Sequence, residues 1–253
     1  YHGDCLKVMP LFDNKVDMVL TDPPYGITAC KWDTIIPLEP MWVQLKRIIK
    51  DNGVVVLFGS EPFSSYLRMS NIKNFKYDWI WEKSKGCNFF HAKNMPIKFH
   101  EIISIFSFAK IKHKVQLEEN RMNYNPQGLI KVDKNWSRPR KYTSEHRLKR
   151  ESNKLKRVIE FENYPKSIIK IGNSNNQERG QHESQKPVAL MEYLIKTYTN
   201  ENETVLDFAI GSGTTAIACE KLNRRWIGIE LSKDYCDTVI KRIKDITKIN
   251  KLF

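Results

Sequence analysis

The residues of this 253-residue chain that most suggest chemistry form the tetrapeptide Asp22-Pro23-Pro24-Tyr25. It follows residues 16–20, a short and mostly apolar run typical of a strand, and the two prolines stop that strand. Because proline has no backbone N–H, the strand end offers mainly acceptors: the Asp22 carboxylate and the Pro23 carbonyl oxygen. Two acceptors side by side suit a substrate that is itself a donor, such as an amino group.

The amino group of adenine or cytosine needs such acceptors, because conjugation of its lone pair with the ring makes it a poor nucleophile. Acceptors that hold both hydrogens can draw the nitrogen toward tetrahedral geometry and free the lone pair. Tyr25 adds an aromatic face on which a base extruded from a duplex can stack. The alternative, a proline turn after a core strand, accounts for the prolines but not for the acid and the aromatic ring beside them.

A second group of residues has the pattern of a nucleotide-binding turn. A predicted strand at 204–208 precedes Gly211 and Gly213, then a helix at 214–222 and a strand that ends at Glu230. The glycines allow a tight turn and the close approach of a ligand. Glu230 is placed to accept hydrogen bonds from a ribose diol.

The acid at the end of the first of these strands, Asp207, indicates the charge of the ligand. A pyrophosphate would be repelled there, and Ala216 replaces the third glycine of the dinucleotide fingerprint. We therefore expect a cationic ligand, such as S-adenosylmethionine. A glycine turn in a purely structural βαβ unit is the alternative.

Apolar periodicity predicts the elements that position these residues. Residues 41–50 have helical spacing, and Asn52-Gly53 is expected to end that helix. The other predicted elements are strands at 54–58, 77–81, 102–108 and 225–230, a helix that begins at Pro187, and a C-terminal amphipathic helix. This alternation predicts an α/β fold with a mostly parallel sheet.

The position of the glycine turn near the end of the chain constrains the topology. Only one helix is predicted after Glu230, and two parallel strands alone bury too little surface to be stable. The remaining strands must come from the N-terminal part. Asp22 and the glycine turn are therefore predicted to share one sheet.

Positive charge is concentrated in one segment of the chain. The net charge is +13, and residues 110–160 hold 15 Lys or Arg against 6 Asp or Glu. Such a segment suits phosphate contacts, so we expect double-stranded DNA as the partner. The candidate DNA-binding residues are Arg138, Arg140, Lys141 and Arg147. A solvated charged face is the alternative.

The sequence argues against a membrane protein, a disulfide-linked or metal-binding protein, and an enzyme that methylates a ring carbon. No apolar run reaches 18 residues, which predicts no membrane span. The five cysteines form no CxxC pair, which predicts a reduced cytoplasmic protein without disulfides or a metal site. Cys30 and Cys87 are expected to be ordinary small buried or packing residues. No Pro-Cys pair is present, which disfavours methylation of a ring carbon.

Together these motifs resemble the permuted β group of DNA amino-methyltransferases. The resemblance covers nearly the whole chain and rests on segments 3–5, 21–26, 182–187, 206–215 and 226–230. It implies a class I S-adenosylmethionine-dependent methyltransferase fold: Rossmann-like, circularly permuted, with a mostly parallel seven-stranded sheet. Residues 1–109 and 161–253 would form the catalytic domain, and 110–160 a target-recognition insert.

The resemblance also implies roles for individual residues. The catalytic set is Asp22, Pro23, Pro24 and Tyr25. The cofactor-binding set is Asp4, Cys5, Asp22, Lys186, Pro187, Asp207, Phe208, Gly211, Gly213, Thr214, Thr215, Glu230 and Leu231. In the family the acid of the first segment contacts the adenine of the cofactor, and the H-x-x-Q-K-P element helps to hold its methionine part. A homodimer is a further implication.

The target base follows from the first residue of the tetrapeptide only as a tendency. Within the family, Asp favours adenine N6 and Ser favours cytosine N4, so adenine is expected and cytosine N4 is the alternative. Two other hypotheses remain: a non-catalytic DNA-binding subunit with a relic cofactor pocket, and methylation of RNA or protein. A bacterial or phage restriction-modification setting fits the family.

Overall fold

The computed structural model describes residues 1–13, 15–28, 30, 33–109, 121–136, 157–173 and 185–250. The chain divides into two units, Tyr1–Asn125 with Ser167–Phe253, and Pro126–Lys166. The helices are α1 (Cys5–Val8), α2 (Leu38–Ile48), α3 (Phe63–Ser70), α4 (Val188–Tyr198), α5 (Thr214–Lys221) and α6 (Lys233–Asn250). The strands are β1 (Val16–Thr21), β2 (Ile49–Gly59), β3 (Phe75–Cys87), β4 (Lys98–Phe106), β5 (Ile130–Trp136), β6 (Arg157–Glu162), β7 (Ile168–Lys170), β8 (Thr204–Asp207) and β9 (Arg225–Gly228).

The larger unit contains a seven-stranded sheet in the order β7-β3-β4-β2-β1-β8-β9. Four of its pairings are parallel, and β4 alone runs antiparallel to its two neighbours. The central strand β1 is buried along its whole length, as expected of a parallel strand covered on both faces. The Rossmann-like class I fold with a mostly parallel sheet is thereby confirmed.

Side chains alternate between two apolar layers along the central strands. Val54, Val56 and Phe58 point into the layer covered by α4 and α5. Val55 and Leu57 point into the layer covered by α1, α2 and α3. This alternation has the period of two residues that is typical of a strand. Burial of both faces fixes the register of the strands, because a shift of one residue would move each side chain into the opposite layer.

The predicted end of the first long helix is wrong. α2 ends at Ile48, and β2 begins at Ile49, which pairs with Val16. The register then shifts, because the next pair joins Met18 to Val54. Residues 50–53 are the irregular part of β2 rather than a helix end, and a side chain at Gly53 would meet the Asp17 carbonyl oxygen at 2.9 Å.

The smaller unit is built on a two-stranded antiparallel ribbon. β5 and β6 pair from Ile130 opposite Glu162 to Trp136 opposite Arg157. The turn before β5 is held by the Asn163 side chain, which donates to the Gly128 carbonyl at 2.7 Å. Across the described ranges of both units, no helix has the length and apolar character needed to span a bilayer.

Candidate functional site

The sheet brings the two predicted chemical motifs to the same edge. β1 and β8 are parallel neighbours, with Met18 opposite Val205, so the residues that follow them leave the sheet side by side. The Phe208 N–H donates to Thr21 Oγ1 at 3.2 Å, which joins the two strand ends directly. The prediction that Asp22 and the glycine turn share one sheet is confirmed.

The turn after β8 is organised around a buried acid. Asp207 is 4% exposed and accepts hydrogen bonds from Thr215 Oγ1 at 2.6 Å and from the Ala209 N–H at 3.2 Å. Burial raises the pKa of Asp207 to about 7, and the nearby Asp22 also raises it, against the lowering effect of these hydrogen bonds. A cation placed beside Asp207 would favour its ionised form.

The two glycines of the turn have backbone angles that favour glycine. Gly213, at the start of α5, has φ 86° and Gly211 has φ 51°. A Cβ added at Gly211 would meet no atom within 4 Å, whereas one at Gly213 would clash with Val239 at 2.9 Å. Gly211 therefore borders open space, and Gly213 allows close packing against α6.

Glu230 closes the other side of the turn. Its two carboxylate oxygens accept from the Gly211 N–H at 2.9 Å and from the Ser232 N–H at 2.8 Å. Its carbonyl accepts from the Gly3 N–H at 2.8 Å, which brings the N-terminal segment to the same place. Asp4 there caps α1 by accepting from the Leu6 N–H at 2.9 Å.

The Asp22 carboxylate lies directly after β1 and is held on both oxygens. The Tyr25 hydroxyl donates to Oδ1, and the Lys186 ammonium donates to Oδ2. The side chain of Asp22 is 23% exposed, so it remains accessible. The Tyr25 ring stacks on Phe63 with centroids 5.3 Å apart, and burial, with Asp22 and Glu101, raises the Tyr25 pKa well above its usual value.

Lys186 belongs to a chain of alternating charges that sequence reasoning missed. Its Nζ also lies 3.2 Å from Glu101 Oε2, and Lys83 pairs with the other oxygen of Glu101. Burial alone would lower the Lys186 pKa, but Asp22 and Glu101 raise it above the usual value. Burial alone would raise the Glu101 pKa, yet Lys186 and Lys83 lower it. Lys186 and Glu101 are therefore both charged near neutral pH.

Asp33 organises the segment after the tetrapeptide and was also missed. Its carboxylate accepts from four successive backbone N–H groups, those of residues 25–28, at 2.7–2.9 Å. Burial acts to raise the pKa of Asp33, but these hydrogen bonds lower it below the usual value. No pattern in the sequence marks this acid, since it follows the motif at no diagnostic spacing.

A family model for DNA methylases matches residues 16–241. The chain belongs to this family of N6-adenine and N4-cytosine DNA methylases. It is therefore an S-adenosylmethionine-dependent DNA methyltransferase.

Individual relatives cover almost all of the methylase. It is 30% identical to the orphan methyltransferase M.BamHII of Bacillus amyloliquefaciens, over 94% of this chain and 92% of the relative. The solved M1.HpyAVI–SAM complex is 26% identical with a TM-score of 0.61, over 96% of this chain and 98% of that one. The cytosine-N4-specific PvuII DNA methyltransferase shares the fold at 15% identity, with a TM-score of 0.65 over 95% and 84% of the two chains.

The residues at the edge of the methylase sheet fit S-adenosylmethionine. The open space beside Gly211 leaves room for a ligand. Asp207 offers a buried carboxylate to a cation, and Glu230 offers oxygens to ribose hydroxyls. These features agree in charge and polarity with a cationic nucleoside.

Most of the other predicted site residues lie at this edge. Phe208, Thr214 and Thr215 are buried in and after the turn, and Pro187 caps α4. Leu231 follows Glu230 and is 70% exposed. The predicted DNA-binding residues Arg138, Arg140, Lys141 and Arg147 lie outside the described residues.

The expectation that Cys30 and Cys87 are buried is wrong, because both are exposed. Cys87 ends β3 where the chain leaves the sheet, and Cys30 lies in the loop that Asp33 organises. Cys5, predicted near the cofactor, is buried, and burial raises its pKa to about 11, with the Asp4 charge adding to the effect. Its thiol is therefore protonated near neutral pH.

Proposed function

We propose that this methylase transfers the methyl group to N6 of adenine in duplex DNA, by direct attack of the amino nitrogen of a flipped-out base. The observation that carries transfer to an amino group is the Asp22 carboxylate, which is fixed by Tyr25 and Lys186 beside the glycine turn. The choice of adenine over cytosine rests on the family tendency associated with Asp at the first position of the tetrapeptide. A fixed acceptor at that point suits an amino group more than any other part of a nucleic acid.

The acceptors would act on the base in two ways. Each carboxylate oxygen has more than one lone pair, so Asp22 can accept from an amino hydrogen while it remains bound to Tyr25 and Lys186. The Pro23 carbonyl would accept from the second hydrogen. As the nitrogen bonds to the methyl carbon, the bond from that carbon to sulfur would break, and the sulfur would leave as a neutral thioether. The nitrogen would be positively charged until it releases one proton to solvent, and the oriented Asp22 carboxylate would stabilise that charge.

The cofactor site supplies the electrophile. Bound S-adenosylmethionine provides a methyl group on a positively charged sulfur, which needs no further activation. Asp207 would face the cationic part of the molecule, Glu230 its ribose and Asp4 its adenine. The Lys186 side chain is engaged by two carboxylates, so we assign it to fixing Asp22 rather than to contact with the cofactor.

The remaining contribution is proximity. Two substrates held at adjacent strand ends react as if intramolecular, and this effect can account for a large part of the rate. No enzyme nucleophile is required. The protonated Cys5 thiol does not favour a covalent route, nor does the lack of a Pro-Cys pair in the sequence.

The basic segment 110–160 is the proposed target-recognition region. Its excess of positive charge suits phosphate contacts along a duplex. Arg138, Arg140, Lys141 and Arg147 are the proposed DNA-binding residues within it.

Analysis of the methylated product tests the assignment of the base. The protein is incubated with duplex DNA and labelled S-adenosylmethionine, the DNA is digested to nucleosides, and the products are separated by mass spectrometry. N6-methyl-2′-deoxyadenosine is expected, and N4-methyl-2′-deoxycytidine as the sole product would mean that the target base is cytosine and not adenine. DNA binding without methylation, by a protein that shows no cofactor binding in calorimetry, would instead favour a non-catalytic subunit. Preferential labelling of RNA in competition with duplex DNA would favour an RNA substrate.

A further inference from the structure

The connection between β3 and β4 presents apolar side chains to solvent. We define the β3–β4 loop as residues 88–97, and every residue from 88 to 96 in it is exposed. Phe90 is fully exposed, with a relative accessibility of 102%, and Phe89 is 61% exposed. An aromatic pair so placed contributes nothing to the core, and adjacent exposed apolar side chains are typical of a surface that binds a partner.

Strand directions place this loop at the same edge of the sheet as Asp22. β2 and β3 both run antiparallel to β4, so β3 is parallel to β2, which in turn is parallel to β1. The C-terminal ends of β1 and β3 therefore lie at one edge. Lys98, at the start of β4, also donates to Ser60 at the end of β2, which ties the base of the loop to this edge.

The chain of charges connects the loop to the catalytic acid. Lys83 on β3 pairs with Glu101 on β4, and Glu101 pairs with Lys186, which holds Asp22. From Lys83 the strand continues for four residues to Cys87, a length of about 13 Å, before the loop begins. The loop is therefore close enough to Asp22 to contact a duplex whose flipped-out base is bound there.

The charge of the loop and of the strands next to it suits a polyanion. Residues 83–100 contain four lysines and two histidines, and no aspartate or glutamate. Lys85 and Lys93 flank the aromatic pair. A second copy of this chain is a less suitable occupant, because it carries a net charge of +13 and would be repelled.

The loop is also internally ordered. It contains a short helical turn at Phe89–His91, and the His91 carbonyl accepts from the N–H groups of Asn94 and Met95 at 2.8 and 2.9 Å. At its base, Gly86 leaves room for Ile97 and Phe99 to cross, since a side chain at Gly86 would meet Ile97 at 2.5 Å. A preformed loop loses little entropy when a ligand covers it.

We propose that the β3–β4 loop contacts duplex DNA beside the target base, with Phe90 inserted into the base stack and Lys85 and Lys93 at the phosphates. Apolar side chains inserted between base steps unstack and bend DNA. Extrusion of a base leaves a gap in the stack, and an aromatic ring there replaces lost stacking. The inference rests on the proposed function but concerns different residues from the basic segment 110–160.

The test compares Phe90→Ala with the wild-type protein on a short fluorescein-labelled duplex that carries the methylated sequence. One lost aromatic–base stack weakens binding by about tenfold or more. A duplex with 2-aminopurine at the target position is expected to show less fluorescence increase with the variant, since fewer bases leave the stack. Phe90→Trp keeps the ring and should retain both properties.

Met69→Ala is the matched control. Met69 is 70% exposed, but it lies at the end of α3, next to the turn that leads into the start of β3 at the opposite edge. This variant should bind DNA like the wild type. Cofactor affinity measured by calorimetry should be the same for all variants.

The lysines give an independent readout. Lys85→Ala or Lys93→Ala should each reduce the slope of log Kd against log salt by about 0.9 for one lost phosphate contact. Unchanged slopes together with unchanged binding by Phe90→Ala would refute the inference while methylation by the wild type still stood.

Other outcomes have separate meanings. If the wild-type protein methylates no DNA, the proposed function itself fails. If Phe90→Ala changes the sedimentation coefficient in the absence of DNA, the loop is a contact between protein copies, and the inference is overturned.

Discussion

Lys186→Met is the most informative single change, because it removes the cation and keeps the length of the side chain. Lys186 is 7% exposed, pairs with Asp22 and lies 3.2 Å from Glu101. Without it, two carboxylates face each other across the vacated position. Glu101 retains a cationic partner, since Lys83 binds its other oxygen, whereas Asp22 keeps only the hydrogen bond from the Tyr25 hydroxyl among its two side-chain contacts.

The expected magnitude follows from burial. Removal of one partner of a buried ion pair costs about 3–5 kcal/mol, because it leaves an uncompensated charge. For a chain of this size that corresponds to a fall in Tm of about 10 °C. The methylation rate at a temperature where both proteins are folded should fall about 100-fold, because Asp22 loses one of the two contacts that orient it.

The matched control is Lys170→Met. Lys170 pairs with Glu82 at 3.1 Å in the same sheet, but the side chains are 73% and 46% exposed. An exposed pair contributes about 0–1 kcal/mol. The free energies of unfolding of Lys186→Met and Lys170→Met would be measured by urea titration without cofactor and compared with that of the wild type. Equal destabilisation by the two changes would refute the reasoning, as would full activity of Lys186→Met.

The pH dependence of the difference in stability between the wild type and Lys186→Met provides a second test. The lowered pKa of Glu101 stabilises the folded wild-type protein at neutral pH, and this stabilisation is lost as the pH falls through that pKa. Lys186→Met removes part of it. The difference in stability between the two proteins should therefore narrow in acid, and a difference that widens would contradict the charge assignment.

The other predictions concern three acids. Asp22→Ala should lower the methylation rate more than about 100-fold and leave cofactor affinity within a few-fold by calorimetry; a weakly affected rate would remove Asp22 from the mechanism. The pKa of Asp207 is raised to about 7, so its contribution to stability is present at low pH and is lost as the pH rises toward 7. Relative to Asp207→Asn, the wild type should lose up to about 2–3 kcal/mol of unfolding free energy between pH 5 and pH 7 in urea titrations. If the unfolding free energies of the two proteins ran parallel with pH, the pKa of Asp207 would be an ordinary one. Asp33→Ala should cost about 2 kcal/mol and speed hydrogen exchange of the amides of residues 26–28, whereas unchanged exchange would mean that the segment is held by other contacts.

The sequence was sufficient to predict the central part of the site because its motifs use unusual residue types. Two prolines after an acid, and two glycines between an acid and a helix, each have a local chemical explanation. The shared sheet followed from a simple count of strands after Glu230. The structure agrees, since Met18 pairs with Val205.

The charge chain could not be predicted in the same way. Lys83, Glu101 and Lys186 become neighbours only through the positions of β3, β4 and the segment before α4. Lys83 and Glu101 taken alone are ordinary surface types, and the motif that contains Lys186 predicts a cofactor-binding residue rather than a partner of Asp22. The end of α2 was misplaced for a similar reason: pairing of Ile49 with β1 determines the boundary, and Asn52-Gly53 does not.

The hydrogen bond between Phe208 and Thr21 joins positions that are 187 residues apart in the chain. Contacts over such separations form late in folding, since the intervening loop must first be closed. Methylation activity therefore reports whether the N-terminal and C-terminal parts of the chain have come together in one sheet. Two co-expressed fragments, divided between β4 and β7, would regain activity by reassociating through the β1–β8 and β3–β7 pairings.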